Sequence, residues 1–183
     1  DESGLVRWVS QAKVSGTAGS QLKLSGSEDV PNLPVVVDAA DYVNAGTATR
    51  WFRDPCTSTG KLSVVSGTLV LAAPGEAYNG VDQANSPVLR GGAWAGPEIM
   101  VSGGVLKANH AKAIDRKAEV LFLDTAGKLE IPAGVSIPCS YVYVDGVRQP
   151  LGTYTAANFG DHVSGGGALV SRGLGLNTVL VIR

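Results

Sequence analysis

Five stretches of this chain end a strand-like run on a small residue and glycine, then start the next run at once. They are Val65-Ser66-Gly67-Thr68-Leu69, Val101-Ser102-Gly103-Gly104-Val105-Leu106, Ile131-Pro132-Ala133-Gly134-Val135, Val163-Ser164-Gly165-Gly166-Gly167-Ala168-Leu169 and, in degenerate form, Leu24-Ser25-Gly26-Ser27. Glycine is needed where the backbone turns sharply, often with φ > 0, between strands that face different ways. Tight hairpins favour Asn-Gly or Asp-Gly instead, and only Asp145-Gly146 and Asn79-Gly80 offer that pair. A strand, a small residue, glycine and a second strand suit the corner of a coil that winds onward and stacks on the previous coil. The expected architecture is therefore all-β and β-solenoid-like, a right-handed parallel β-helix. The steps from Ser66 to Ser102 to Ser164 are unequal, so the array is irregular. Repeat units of roughly 20–45 residues leave room for about four to nine coils. The alternative is a β-sandwich, with even strand spacing and frequent hairpins; it fits the N-terminal half no worse.

The strands themselves read from end to end. Leu5-Val6-Arg7-Trp8-Val9 and Gln21-Leu22-Lys23-Leu24 alternate, and Val35-Val36-Val37 is a buried-strand run. Lys61–Val65, Thr68–Leu71, Glu98–Val101, Val105-Leu106, Glu119–Leu123, Lys128–Ile131, Tyr141–Val144 and Thr178–Ile182 follow. Short β-branched and aromatic runs broken by Gly, Pro, Asn and Asp form the all-β pattern. One segment, Ala108 to Ala118, is rich in Ala and charge and reads as either a short helix or a loop. At 183 residues the chain is long enough for one domain with a substantial core and no structural metal. We expect a single all-β domain over residues 1–183, in which residues 1–55 form a cap or a distinct N-terminal portion and residues 56–183 the coils.

Composition removes several partners. Charged residues make up 17% of the chain and Gly 24 of its residues, against averages of about 25% and about 7%. With a net charge of −1 and Lys and Arg scattered singly, the chain lacks the basic stripe that nucleic-acid binding needs. No apolar run approaches the roughly 18 residues of a membrane-spanning helix, so no membrane insertion is expected. No signal peptide opens the sequence, and the start at Asp1 reads as a mature or trimmed beginning. Cys56 and Cys139 lack a CxxC spacing or a neighbouring His, so no metal site is expected. They are open to two readings, a long-range disulfide or two independent buried thiols.

From about Gly60 the chain resembles the autotransporter-associated β-strand repeat proteins, large secreted bacterial β-helix proteins. The resemblance rests on Gly60-Lys61-Leu62-Ser63-Val64-Val65-Ser66-Gly67-Thr68-Leu69-Val70-Leu71 and, more loosely, on Glu98 to Leu106. The run from Lys128 to Val135, then Val144-Asp145-Gly146-Val147-Arg148-Gln149-Pro150, Gly152-Thr153-Tyr154-Thr155 and Val163 to Val170, is similar to the closing coils of such proteins. These motifs cover about two thirds of the chain, and the first 55 residues do not match. The resemblance implies a secreted or cell-surface bacterial origin and contact with surfaces or carbohydrate. It carries no catalytic residue across.

The chemistry-bearing residues form no catalytic signature. His110 and His162 are the only histidines, and neither stands with a G-x-S-x-G elbow. His162 lies near Ser164 in what reads as an ordinary turn. The 16 acids include no recognisable glycosidase pair, since such a pair is defined in space. Asp115-Arg116-Lys117 is the one compact charged group and reads as a solvated turn. Ser164 to Gly167 lacks the Lys and following helix of a phosphate loop. Sugar binding asks for less: a flat aromatic ring for the apolar sugar face, and amides or acids for its hydroxyls. Trp51, flanked by Arg50, Arg53 and Asp54, is the best such constellation. Trp94, expected on an exposed Gly-rich loop with Tyr78, Asn79 and Asp82 upstream, is the second. Trp8 alternates with Val6 and reads as core, and burial is the ordinary alternative for each Trp. The sequence thus leads us to expect a non-catalytic secreted or cell-surface module without a cofactor. It would bind glycan or serve a polysaccharide-degrading protein, beside neighbouring domains of a larger chain. A spacer or adhesin-stalk segment is the second expectation and a polysaccharide-cleaving enzyme the third.

Overall fold

The computed structural model describes residues 13–31, 33–76, 90–123 and 126–174. Among these residues the chain is all-β, without a helix. It runs in successive passes. The first holds β1 (Lys13–Gly16) and β2 (Gln21–Leu24), and the second β3 (Val35–Asp38), β4 (Asp41–Asn44) and β5 (Thr49–Phe52). The third holds β6 (Pro55–Cys56), β7 (Lys61–Val64) and β8 (Thr68–Leu71), and the fourth β9 (Ala93–Trp94), β10 (Glu98–Val101) and β11 (Val105–Ala108). The fifth contributes β12 (Glu119–Phe122) and β13 (Lys128–Glu130). Then come β14 (Ser136–Cys139), β15 (Tyr141–Val144), β16 (Val147–Arg148), β17 (Gly152–Tyr154), β18 (Val163–Ser164) and β19 (Ala168–Ser171).

From the second pass to the fifth, each adds one strand to each of two large sheets, while the first adds β2 to the first sheet alone. The first sheet has the order β16-β15-β12-β10-β7-β4-β2 and the second β18-β13-β11-β8-β5. A third column is built from the short pairs β1-β3 and β6-β9, extended by the bridge from Trp94 to Ile114. Among the described residues every ladder is parallel except β15 with β16 and β17 with β19. That pattern departs from the antiparallel hairpin pairing of the sandwich alternative.

The registers give the step. In the first sheet Leu22 pairs with Tyr42, Tyr42 with Leu62, Leu62 with Ile99, Ile99 with Val120 and Val120 with Val142. The partner is 20, 20, 37, 21 and 22 residues on, so a single long step interrupts an otherwise even series. The extra length falls between β8 and β9. The unequal spacing of Ser66 and Ser102 is therefore an insertion in a regular array. The ladders β4–β7 and β5–β8 also run straight across residue 55.

The Ser66-Gly67 and Ser102-Gly103-Gly104 motifs sit at turns from the first sheet to the second. Ala133-Gly134 instead leads from β13 to β14 and Ser164–Gly167 from β18 to β19, out of the second sheet into a separate three-stranded sheet β14-β19-β17. Gly67 has φ +69°, and a Cβ there would lie 2.7 Å from the Ala48 carbonyl oxygen of the pass beneath. Glycine is required both for the left-handed backbone and for the close approach of one turn to the next. Asp145-Gly146 makes the expected hairpin, with φ +49° and +77° joining antiparallel β15 and β16, the pattern of a type I′ turn. Ala108 to Ala118 forms no helix. After β11 ends at Ala108 the segment consists of turns and the Ile114 bridge, because Asp115 Oδ1 accepts from the Lys117 amide at 2.7 Å and closes a local turn.

Strand residues alternate between a buried interior and an outer face, as the pleat demands. In-register stacks of Tyr42, Leu62, Ile99, Val120 and Val142, and of Leu69, Leu106, Leu129 and Val163, fill the interior. Arg50 sits below Leu69 in the second stack and is only 2% exposed. Its guanidinium donates to Asn44 Oδ1 at 3.1 Å and to the Ala45 carbonyl at 2.7 Å. The buried cation is thus held by neutral acceptors, as a buried polar group must be.

Cys56 and Cys139 are free and buried, so of the two readings the disulfide fails. They lie in separate ladders, Cys56 opposite Trp94 and Cys139 opposite Ser171. Burial pushes both thiols up to about 12 and raises the Tyr42 phenol as well. Each group keeps its proton in the folded chain after the unfolded chain has released it. Their stabilisation is complete below the thiols' ordinary value of 9.0 and is lost as pH climbs towards about 12. Each adds a slope of at most about 1.4 kcal/mol per pH unit. Urea melts over this range should show falling stability, and Cys56→Ala/Cys139→Ala should flatten the fall. A wild-type stability that stays level through the alkaline range would contradict this account.

Candidate functional site

Four outward-facing residues of the second sheet stand in one row across four strands. Trp51 of β5 pairs with Val70 of β8, Val70 with Lys107 of β11, and Lys107 with Glu130 of β13. Their neighbours in the strands, Arg50, Leu69, Leu106 and Leu129, point inward, so alternation alone puts the row outside. Thr49 and Thr68 flank it. Ala73, Glu76 and Asn109, which follow the C-terminal ends of β8 and β11, raise a wall along one side, and Pro132 stands beyond β13. Together they enclose an open groove of about 540 Å³, within the size range of small-ligand sites.

The groove has an apolar floor at one end and ordered polar groups at the other. Trp51 is half-buried, and Val70 beside it is covered, with 1% of its surface exposed. Lys107 Nζ lies 3.1 Å from Glu130 Oε1. Asn109 Nδ2 donates to both Glu76 oxygens, at 2.8 and 3.0 Å, and the Ala73 amide donates to Oε2 at 2.6 Å. These contacts fix the Glu76 carboxylate in place as a hydrogen-bond acceptor. Arg53, two residues along from Trp51, spends Nη2 on the Glu76 carbonyl at 2.8 Å and so buttresses the wall. Partial burial lowers the Arg53 guanidinium below its ordinary value, against the opposing charges of Glu76 and Asp54; it stays cationic at neutral pH.

The other expected site residues lie elsewhere. Arg50 points away from Trp51 into the interior, and Asp54 is buried and paired with Arg90 Nε at 3.2 Å. Trp94 is not on an exposed loop. It lies in β9, fully buried, with Nε1 donating to the Gly60 carbonyl at 3.3 Å and its ring 6.3 Å from Phe52. Gly96 leaves the room its indole needs, a Cβ there falling 2.5 Å from Nε1, and Gly92 lies close against the Phe52 backbone, so glycines that suggested a loop serve packing instead. A Trp without exposed surface has no face for a sugar. Tyr78, Asn79, Asp82 and Trp8 lie outside the described residues, as do the strand-like runs Leu5–Val9 and Thr178–Ile182.

Neither histidine has a nucleophile beside it among the described contacts. His110 Nε2 lies 2.7 Å from the Gly92 carbonyl. His162 is buried, its ring 4.9 Å from those of both Phe122 and Phe159. Among the described residues no three His, Cys, Asp or Glu side chains gather to hold a metal. Lys107, Asn109, Glu76 and Glu130 escaped the reading of the sequence because they share no local motif. The steps from Trp51 to Val70, Lys107 and Glu130 are 19, 37 and 23 residues, so no fixed period read from the sequence would have put them in one column.

No protein-family model matches this chain, and no curated protein or solved structure is similar enough to it to count as a match.

Proposed function

We propose that the chain is a right-handed parallel β-helix module, secreted or displayed on a bacterial surface, that binds glycan in the groove over the second sheet. The observation that carries this reading is the groove itself. It offers the half-buried Trp51 as an apolar face and Asn109, Glu76, Lys107 and Glu130 as hydroxyl partners within reach of it. The β-helix reading is supported by parallel ladders, whose first-sheet step is near-constant apart from the one long interval, and by the chain's repeated return to the same sheets. The surface location and the likeness to autotransporter-associated β-strand repeat proteins rest on the turn and core motifs of residues 60–170. As part of a larger secreted protein, such a module would hold a neighbouring domain against polysaccharide.

The test is calorimetric titration of the folded chain with neutral and acidic polysaccharides, beside Trp51→Ala. Removing the indole should weaken binding at least tenfold, about 1.4 kcal/mol or more. Its outward position should keep the change in melting temperature to a few degrees. Undiminished binding by Trp51→Ala would remove the groove from the reading. A second reading, a spacer in an adhesin stalk, draws on the unbroken first-sheet ladder from β2 to β15, in which each pass leans on its neighbours. A wild-type chain that binds no polysaccharide would favour the spacer.

A further inference from the structure

The row Trp51, Val70, Lys107, Glu130 has a direction and a charge, and both restrict what fits the groove. Its members come from four consecutive strands of one parallel sheet. Neighbouring strands lie about 4.8 Å apart, so the row runs across the strands for roughly 14 Å. It follows the direction in which the passes stack. One hexose unit of an extended glycan is about as long as one such spacing. A linear chain laid on the row therefore advances by one strand with each sugar and meets side chains at Trp51, Lys107 and Glu130, Val70 being covered. An extended peptide gains no comparable advantage. The groove lies on a sheet face, and β8 and β11 are each paired on both sides, so their backbone groups are already committed to ladders.

The charges select among glycans. The lining residues carry two carboxylates, Glu76 and Glu130, and one ammonium, Lys107. That ammonium is already matched by Glu130 at 3.1 Å. Arg53, the nearest cation behind the wall, has Nη2 on the Glu76 carbonyl and does not line the groove. A uronate or sulfated chain would thus meet a surplus of negative charge and no uncommitted lining cation, and it would have to break the Lys107–Glu130 pair to gain one. Neutral hydroxyls need no such exchange. They can donate to the carboxylates and accept from Lys107.

The geometry points to an uncharged, linear glycan lying along the stacking direction, with about three sugars in contact, the first on Trp51 and the last over the Lys107–Glu130 pair. This rests on the glycan-binding reading of the groove. The test uses the whole chain and calorimetry with neutral gluco-, manno- and xylo-oligosaccharides of one to about six units, beside galacturonate and alginate oligomers of matched length. Affinity for at least one neutral series should rise about tenfold or more from monomer to trimer and level off soon after. Uronate oligomers should bind at least about tenfold more weakly, and Glu130→Gln, which frees Lys107, should narrow that difference several-fold at low salt. A preference for uronates would overturn the inference and leave glycan binding standing. Equal affinity for monomer and trimer would overturn the row as the site of contact. A folded chain that binds none of these glycans would overturn both the inference and the reading beneath it.

Discussion

Gly67→Val is expected to cost the fold on the order of 4 kcal/mol, enough to lower the melting temperature by roughly 10 °C. Two terms add. A side chain in left-handed backbone costs about 1–2 kcal/mol, more when β-branched. The new Cβ would also lie 2.7 Å from the Ala48 carbonyl oxygen and 2.9 Å from that of Gly46. These are backbone atoms that cannot rotate away. Moving them strains the bond from the Thr68 amide to the Ala48 carbonyl below and that from the Val105 amide to the Gly67 carbonyl above. Gly134→Ala is the control. Its φ is +79°, yet nothing lies within 4 Å of the added carbon, so only the conformational cost of about 1 kcal/mol remains. Thermal melts of both variants separate close approach from backbone preference. Equal losses at the two positions would mean that the turns do not press on one another.

Phe122→Ala is expected to lose about 3–5 kcal/mol, the usual cost of deleting a buried aromatic ring. Its ring is fully buried and meets His162 at 4.9 Å and Phe159 at 6.0 Å, while Phe159 in turn meets Tyr154 at 4.7 Å. This cluster ties the last passes to β12. Around it the chain turns back on itself, with antiparallel β16 lying along β15 and β17 along β19. The strands left at those edges, β16 and β17, are only two and three residues long, a poor template for another strand. The loss should therefore be uneven. Amide exchange in β17 to β19 should accelerate far more than in β4, β5 and β7, since distant passes share no partner with the ring. A uniform acceleration across the chain would show that the passes unfold as one unit.

Much of the strand content was legible because short apolar runs of β-branched residues leave few other options. Gln21–Leu24, Lys61–Val64, Thr68–Leu71, Glu98–Val101, Glu119–Phe122 and Tyr141–Val144 are strands where the residues say so. β4 and β5 escaped notice because Asp41, Asn44 and Arg50 interrupt the apolar pattern. In the structure Asn44 and Arg50 are interior residues whose polar groups bond one another. The turn glycines were legible for the same local reason: a left-handed or crowded backbone admits little else.

The site was half legible. An aromatic among charges drew attention to Trp51, but its supposed partners turn elsewhere: Arg50, adjacent in the strand, faces the opposite side, and Asp54, in the bend after β5, pairs with Arg90. The true neighbours of Trp51 come from passes 19 to 79 residues later, from Val70 to Glu130. Trp94 shows the converse. Its Gly-rich surroundings suggested exposure, whereas Gly96 clears space for a buried ring and Gly91 and Gly92 admit close approach of neighbouring backbone.

By itself, then, the sequence determined the β character, the turns and the absence of a basic binding stripe, because these depend on neighbouring residues and on composition. Tertiary structure alone decided which rows face outward together, that the two thiols stay apart, and which tryptophan lines a groove. Those outcomes depend on the register between passes, which is set by the stacking of whole ladders and not by any local run of residues.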